Sequence, residues 1–405
     1  MHFKATAQLV RHSRSVCVRI VSCAIALGLS AQWFFVATGF AQEPSNDERH
    51  RALSLPLTDF YSPPDPLPPA TAGELIRSER FDDYDLPLEV SMIRILYHSR
   101  SARGQNVAAS GVVLYPERKA PPGGWPLIAW AHDLTGVARS CAPSLTRNLG
   151  NGPVLSMYVH LGYAIVAADY TGLGTPFRNA FADMDSNARD VIYSIPAARK
   201  AVPQLGSRWV AMGMGDGGTT VLAVDELEHE THDPDYLGSV AFSPPSDLET
   251  RFASPARLPQ DPLLLAYGIQ TVYPAFSVKD VLSDKALEFY RQISSDCKPE
   301  GGNGYTAAEM VKPGWEQNSF VQAYLRRNRV GSRPAGAPLL ILSANESGAV
   351  ESVSRLCARG DTVESDVYPD SNSGMLIGDS VRGQIAWIEE RFANKPARGN
   401  CGVPH

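Results

Sequence analysis

The chain has 405 residues, 44% of them hydrophobic and 20% charged, with 37 Lys and Arg against 43 Asp and Glu for a formal net charge of −6. This length amounts to about two to three domain equivalents, or one large domain with insertions, and the composition excludes disorder for the bulk of the chain. It also argues against a nucleic-acid partner, because no basic excess is available to neutralise phosphates.

The first 41 residues stand apart. Lys4, Arg11, Arg14 and Arg19 carry positive charge with no acid among them, and Ile20 to Phe40 then run without a charge. Gly39 and Ala41 put small residues at −3 and −1 of a cleavage point after Ala41. The expectation is a secretory signal over residues 1–41 and an exported mature chain. An uncleaved anchor stays open as the alternative, since a run of this length can span a bilayer. Loss of the segment leaves 33 basic and 43 acidic residues, a net charge of −10. Two of the six cysteines leave with it. Cys141, Cys297, Cys357 and Cys401 remain, an even number that suggests two disulfides with three connectivities open. Their spacing is too wide for a Cys-x-x-Cys metal site, and no metal is expected.

Residues 42–92 read as an extended lead, marked by the Pro-rich run Tyr61 to Pro69, which cannot form a helix or a central strand. Short β-rich runs follow at Ile93–Tyr97, Gly111–Tyr115, Leu127–Ala131, Ala164–Ala168, Trp209–Met212, Val240–Phe242, Leu339–Leu342 and Asp366–Tyr368. Several are apolar on both faces, as strands between two helix layers are. Helices are expected at Asn187–Ala201, with a kink or break at Pro196, at Thr219–Glu230, and at Ser380–Phe392, where Val381, Ile385, Ile388 and Phe392 share a face. Strands alternating with helices predict an α/β fold with a mostly parallel sheet flanked by helices. Residues 93–247 and 336–401 make that core. Between them, residues 248–335 show no clear strand and many short helical pieces, and are read as an inserted, mainly helical cap. Tyr273, Phe276 and Trp315 could line an acyl tunnel there, with packing inside the cap as the plainer reading. Arg326, Arg327, Asn328 and Arg329 read as a solvated face.

The segment from Trp209 to Thr220 is a strand, a Gly-rich turn and a helix. Gly213, Gly217 and Gly218 are the small residues that a strained nucleophile elbow needs, but the nucleophile position is then Gly215, which has no side chain. The competing reading is a dinucleotide loop, because Gly213, Gly215 and Gly218 satisfy G-x-G-x-x-G. That reading lacks an acid after the next strand, around Ser243 to Pro245, so no cofactor is expected.

The chain resembles the secretory lipase family of α/β-hydrolases from about Phe60 to Cys401. The resemblance is carried by Phe60-Tyr61 with its Pro-rich sequel, Ala72 to Arg77, Ala131 to Gly136 followed by Cys141 to Ser144, Ala168 to Gly174, and Ile385 to Phe392 with Cys401. It implies an α/β-hydrolase fold with a cap, ester cleavage as the ancestral activity, and the pairing of Cys141 with Cys297 and of Cys357 with Cys401. The family's catalytic residues do not carry over. Its serine falls on Gly215, its acid on Ser347 beside Glu346, and its histidine on Asn372. The order of residues agrees. After Gly215 the histidines are His229, His232 and His405, with none from 233 to 404, so no imidazole is available to activate a nucleophile. Asp133 and Asp216 occupy the segments that would form an oxyanion hole, and read instead as polar pocket floor or turn-satisfying residues. His132 reads as a packed structural histidine, and Asp169 and Tyr170 as shaping a turn beside the pocket. The expected function is that of an exported, catalytically silent homologue that takes a hydrophobic or acyl ligand, or a protein partner. An ester hydrolase using unconventional residues, Asp216 above all, is the rival. A dinucleotide-binding protein is the third.

Overall fold

The structure is a computed structural model. It describes residues 52–87, 89–254, 257–297, 304–344 and 349–402. The expected signal and its cleavage point lie outside these residues. Among the described residues, no helix is long and apolar enough to cross a membrane.

One nine-stranded sheet organises the chain: β1 (Leu75–Arg80), β2 (Val90–Arg100), β3 (Asn106–Pro116), β4 (Trp125–Ala131), β5 (Ala164–Ala168), β6 (Leu205–Met214), β7 (Tyr236–Phe242), β8 (Leu339–Ala344) and β9 (Val363–Tyr368). Their spatial order is β1-β2-β3-β5-β4-β6-β7-β8-β9. The pairs among β1, β2, β3 and β5 are antiparallel, and every pair from β5 through β4 to β9 is parallel. The central strands carry apolar residues on both faces because helices cover both. Val210 and Met212 of β6 belong to one core, and Trp209 and Ala211 to the other.

The helices of the core are α1 (Gly152–His160), α2 (Met184–Ala201) and α3 (Asp216–Thr231), with α8 (Val350–Arg359), α9 (Leu376–Asp379) and α10 (Val381–Phe392) after the insertion. The insertion between β7 and β8 holds α4 (Leu248–Ala253), α5 (Asp261–Val272), α6 (Asp284–Tyr290) and α7 (Ser319–Arg327), with short 3₁₀ turns and, among its described residues, no named strand. This is the mainly helical cap. Trp315 and Phe276 are buried within it, and Phe276 and Tyr273 pack on Phe320 at 5.9 and 5.7 Å between ring centroids. Cys141 pairs with Cys297, and Cys357 with Cys401, with Cα separations of 5.2 and 5.4 Å. The first bridge ties the loop after β4 to the cap.

Two expectations need correction, and two of the expected helices gain detail. The sheet begins at Leu75, inside the segment read as a lead. β1 carries Arg77, Ser78, Glu79 and Arg80 on an edge, where charge blocks further pairing and erases the apolar alternation of a strand. β2 also starts within it, at Val90. Pro196 does not break α2, which continues to Ala201. Proline removes one hydrogen bond, and burial of Ala197 and Ala198 against the core offsets that loss. On α10, the apolar face includes a polar residue. Gln384 is fully buried, and its amide accepts from Tyr158 Oη and donates to the Ile377 carbonyl at 2.6 Å.

The second correction concerns Arg326 to Arg329, of which only Arg326 is exposed. Arg327 Nε sits 2.6 Å from Asp183 Oδ2, and Asp183 is fully buried as the N-cap of α2. Asn328 is buried and accepts from the Met184 amide at 2.9 Å. Arg329 pairs with Glu249 and reaches Asp247. Each partner lies far away in sequence, so in a run that reads as solvated Arg327 and Asn328 clamp the cap to the core, while Arg329 ties down the start of the insertion. Arg327→Ala leaves the Asp183 carboxylate buried without its cation and is expected to cost about 3 kcal/mol of stability, read from the urea midpoint. An unchanged midpoint would show that this clamp does not hold the fold.

Candidate functional site

β6 ends at Met214 and α3 starts at Asp216, so Gly215 makes the entire turn. Its φ of +60° and ψ of −127° are closed to most L side chains. The reversal is this tight because the helix rests directly on strand backbone. A Cβ on Gly213 would strike the Gly217 carbonyl oxygen, and one on Gly217 would strike that of Ala131, at the end of β4. Gly218 approaches the Phe242 carbonyl of β7, where a Cβ would stand 3.0 Å away.

The space above Gly215 is filled. A Cβ placed there would lie 2.5 Å from Asp133 Cγ. Asp133 follows β4, and its Oδ1 accepts hydrogen bonds from the amides of Asp216 at 2.9 Å and Leu134 at 2.8 Å. The Asp216 amide is the donor that an oxyanion would need after the elbow. Here a carboxylate of the chain itself takes it, at a helix N-terminus that favours negative charge. A pyrophosphate approaching the same terminus would meet that carboxylate, which removes the geometric basis of the dinucleotide reading.

The Asp216 side chain is buried and turned to the cap, with Oδ1 2.6 Å from Arg251 Nη1 of α4. Burial raises its carboxyl above the usual range, and the Arg251 guanidinium opposes that rise. Above this pair opens a cavity of about 930 Å³, bounded by Asp133 and Asp216 below and by cap residues such as Leu258 and Leu264. Cys141 and Cys297 also line it, so one disulfide forms part of the wall. Tyr273, Phe276 and Trp315 do not line it.

Asn372 is exposed on the loop after β9. Its Oδ1 accepts from the amides of Gly374 at 2.9 Å and Met375 at 3.1 Å, so the side chain is committed to its own turn. Ser373 and Gly374 face Gly215 across a cleft of about 300 Å³. Ser347 and Glu346 lie outside the described residues, as does His405. His132 is buried and stacks on Tyr170 with ring centroids 4.0 Å apart, while its Nδ1 lies 2.6 Å from the Asp133 carbonyl. Burial holds its pKa at about 4. Asp169 is buried behind the site and accepts from Ser110 Oγ at 2.7 Å and from the Ser144 amide at 3.0 Å. Among the described residues, no group of three or more His, Cys, Asp or Glu could hold a metal ion.

Sequence reasoning did not find Arg251 or Asp261, which join Asp216 at the cavity. Arg251 belongs to a short helix of unremarkable composition, and its partner is 35 residues away, so no local pattern marks it.

No protein-family model matches the chain. A protein of Mycobacterium tuberculosis described as a probable inactive lipase is 23% identical over 403 residues, covering 87% of this chain and 86% of that protein. Candida antarctica lipase A in its closed state superposes with a TM-score of 0.71 at 16% identity, covering 87% of this chain and 90% of that one. The rice cell wall degrading esterase LipA from Xanthomonas oryzae superposes at 0.64 with 20% identity, covering 80% and 98%. The chain has the α/β-hydrolase fold of these lipase-like proteins.

Two outcomes follow from the geometry. Gly215→Ser should destabilise the protein, and Asp133→Gly should relieve part of that cost, giving a coupling of about 1–3 kcal/mol in a double-mutant cycle of urea unfolding. Additive effects would mean the two positions do not compete for space. The His132 imidazole is neutral in the fold down to about pH 4, whereas an unfolded histidine protonates near its usual 6.5. Its contribution is therefore complete above pH 6.5 and is lost as pH falls from there toward 4, by about 3 kcal/mol in all. Urea unfolding across that window should show the loss, and His132→Phe should remove this component.

Proposed function

We propose that this lipase-like α/β-hydrolase is an exported binding protein that holds an apolar ligand beneath its cap and does not hydrolyse esters. One observation carries the reading: the Asp133 carboxylate stands where an elbow side chain would project and already accepts the Asp216 amide hydrogen bond. A hydrolase of this kind attacks with the elbow side chain and stabilises the resulting oxyanion with that amide. Gly215 supplies no attacking atom, and Asp133 leaves the amide no vacancy. Asp216 is a poor substitute nucleophile, because Arg251 holds one of its carboxylate oxygens at 2.6 Å.

The scaffold around this position keeps its purpose. A cavity of about 930 Å³ falls in the range of small-molecule sites. The mycobacterial relative described as a probable inactive lipase supports the loss of hydrolysis. The two disulfides support an oxidising compartment, in line with the expected signal.

The test is an assay of residues 42–405 on short- and medium-chain chromogenic esters, with Asp216→Ala alongside. The expected result is no turnover above buffer for either protein. Turnover that survives repurification and disappears in Asp216→Ala would overturn the reading and make the protein an esterase.

A further inference from the structure

The cavity beneath the cap is lined by both apolar and charged residues. Leu53, Leu134, Pro143, Phe181, Leu258 and Leu264 supply an apolar lining suited to an alkyl chain. The charged lining holds three carboxylates, Asp133, Asp216 and Asp261, and one guanidinium, Arg251. All three carboxylates act electrostatically on Arg251, and the four groups line the same cavity. Arg251 is committed to Asp216 at 2.6 Å. Among the described residues, neither Asp133 nor Asp261 has a cation within ion-pair distance. Asp133 Oδ1 is held by two amides, and Asp261 Oδ2 accepts from the Leu258 amide at 2.8 Å.

A fatty acid fits this arrangement poorly. The Leu134 and Asp216 amides could hold a carboxylate or an ester carbonyl, but Asp133 Oδ1 already takes both. An incoming carboxylate would also stand among like charges at a partly desolvated site, which is unfavourable. A cationic head group meets the opposite situation, with two carboxylates outside any ion pair, Asp261 feeling the Arg251 and Arg257 guanidiniums only from beyond ion-pair distance. We propose that the cavity takes a cationic amphiphile, with an ammonium group between Asp133 and Asp261 and an alkyl chain along the apolar lining. The inference rests on the binding reading above and adds the charge of the ligand to it.

The test is calorimetric titration of residues 42–405 with decyltrimethylammonium, decanoate and decanol, each below its aggregation threshold and at low salt. Decyltrimethylammonium is expected to bind at least about tenfold more tightly than decanoate, the scale of one charge-assisted contact. Asp133→Asn keeps an oxygen acceptor for the two amides and removes the charge. It should lose about tenfold in affinity for the cation and leave decanol unchanged, with Asp261→Asn acting in the same direction. Thermal melting of both variants checks that they fold, and either one alone suffices for the comparison. Decanoate binding as tightly as the cation, or a cation affinity equal in parent and variants, would overturn the proposal while leaving an apolar binding site in place. Failure of all three probes to bind would overturn both the proposal and the binding reading. Ester turnover in the preceding assay bears on that reading alone.

Discussion

The close seating of α3 on the strand ends governs this molecule. The helix begins one residue after β6 ends, and its first turn lies against the carbonyl of Ala131 so closely that Gly217 has no room for a side chain. Two further consequences follow. The turn must be made by a single residue at positive φ, and the first amide of the helix must point at the loop after β4. In a hydrolase those features present a nucleophile beside an oxyanion donor. Here the same backbone presents Gly215 and an amide bonded to Asp133. The backbone geometry of catalysis persists with its chemistry replaced, because tight packing constrains the backbone of the turn while the Asp133 carboxylate fills the space above it.

The cap is held over this site by charge as well as by the Cys141–Cys297 bridge. Arg251 reaches Asp216, Arg327 reaches Asp183, and Arg355 of α8 grips Asp247 through two contacts of 2.8 Å. Arg333, near the end of the cap, joins Asp185 of α2 and Glu226 of α3. The acids Asp216, Asp183 and Glu226 are buried and Asp185 and Asp247 half-buried, each against a partly exposed guanidinium. Such pairs add little net stability over apolar packing, but removing one partner is costly. They therefore suit orientation of the cap more than its adhesion. Arg251 shows the link to function, since it fixes the cap and also neutralises one of the three carboxylates at the cavity.

Much of the core was legible because its signals are local. Leu127–Ala131, Ala164–Ala168 and Trp209–Met212 are uninterrupted apolar runs of strand length, and each lies in a parallel strand. The glycines around position 215 announced a sharp strand-to-helix turn. The failures share one cause. The polar edge strand β1, the buried Gln384 and the clamp at Arg327 and Asn328 use polar residues whose partners lie elsewhere in the chain. Tyr158 is 226 residues from Gln384, and Asp183 is 144 residues from Arg327. Composition and periodicity register polarity as exposure, and only a folded partner reverses that meaning. Pro196 is the converse case, where a local rule against helix was outweighed by the burial of its neighbours.

The amino-acid sequence by itself determined the alternating α/β order, the place of the insertion, the one-residue turn and the absence of a hydroxyl at its apex. These depend on residue type and on spacing over a few positions. The tertiary structure alone decided what occupies the space that the missing side chain leaves. Asp133 is 83 residues from Asp216 and comes from a different strand end, and nothing in its own segment says which amide its carboxylate will accept. The parallel sheet sets β4 beside β6 and brings the two loops to the same edge. That adjacency puts a negative charge over Gly215 and gives the cavity its acidic floor.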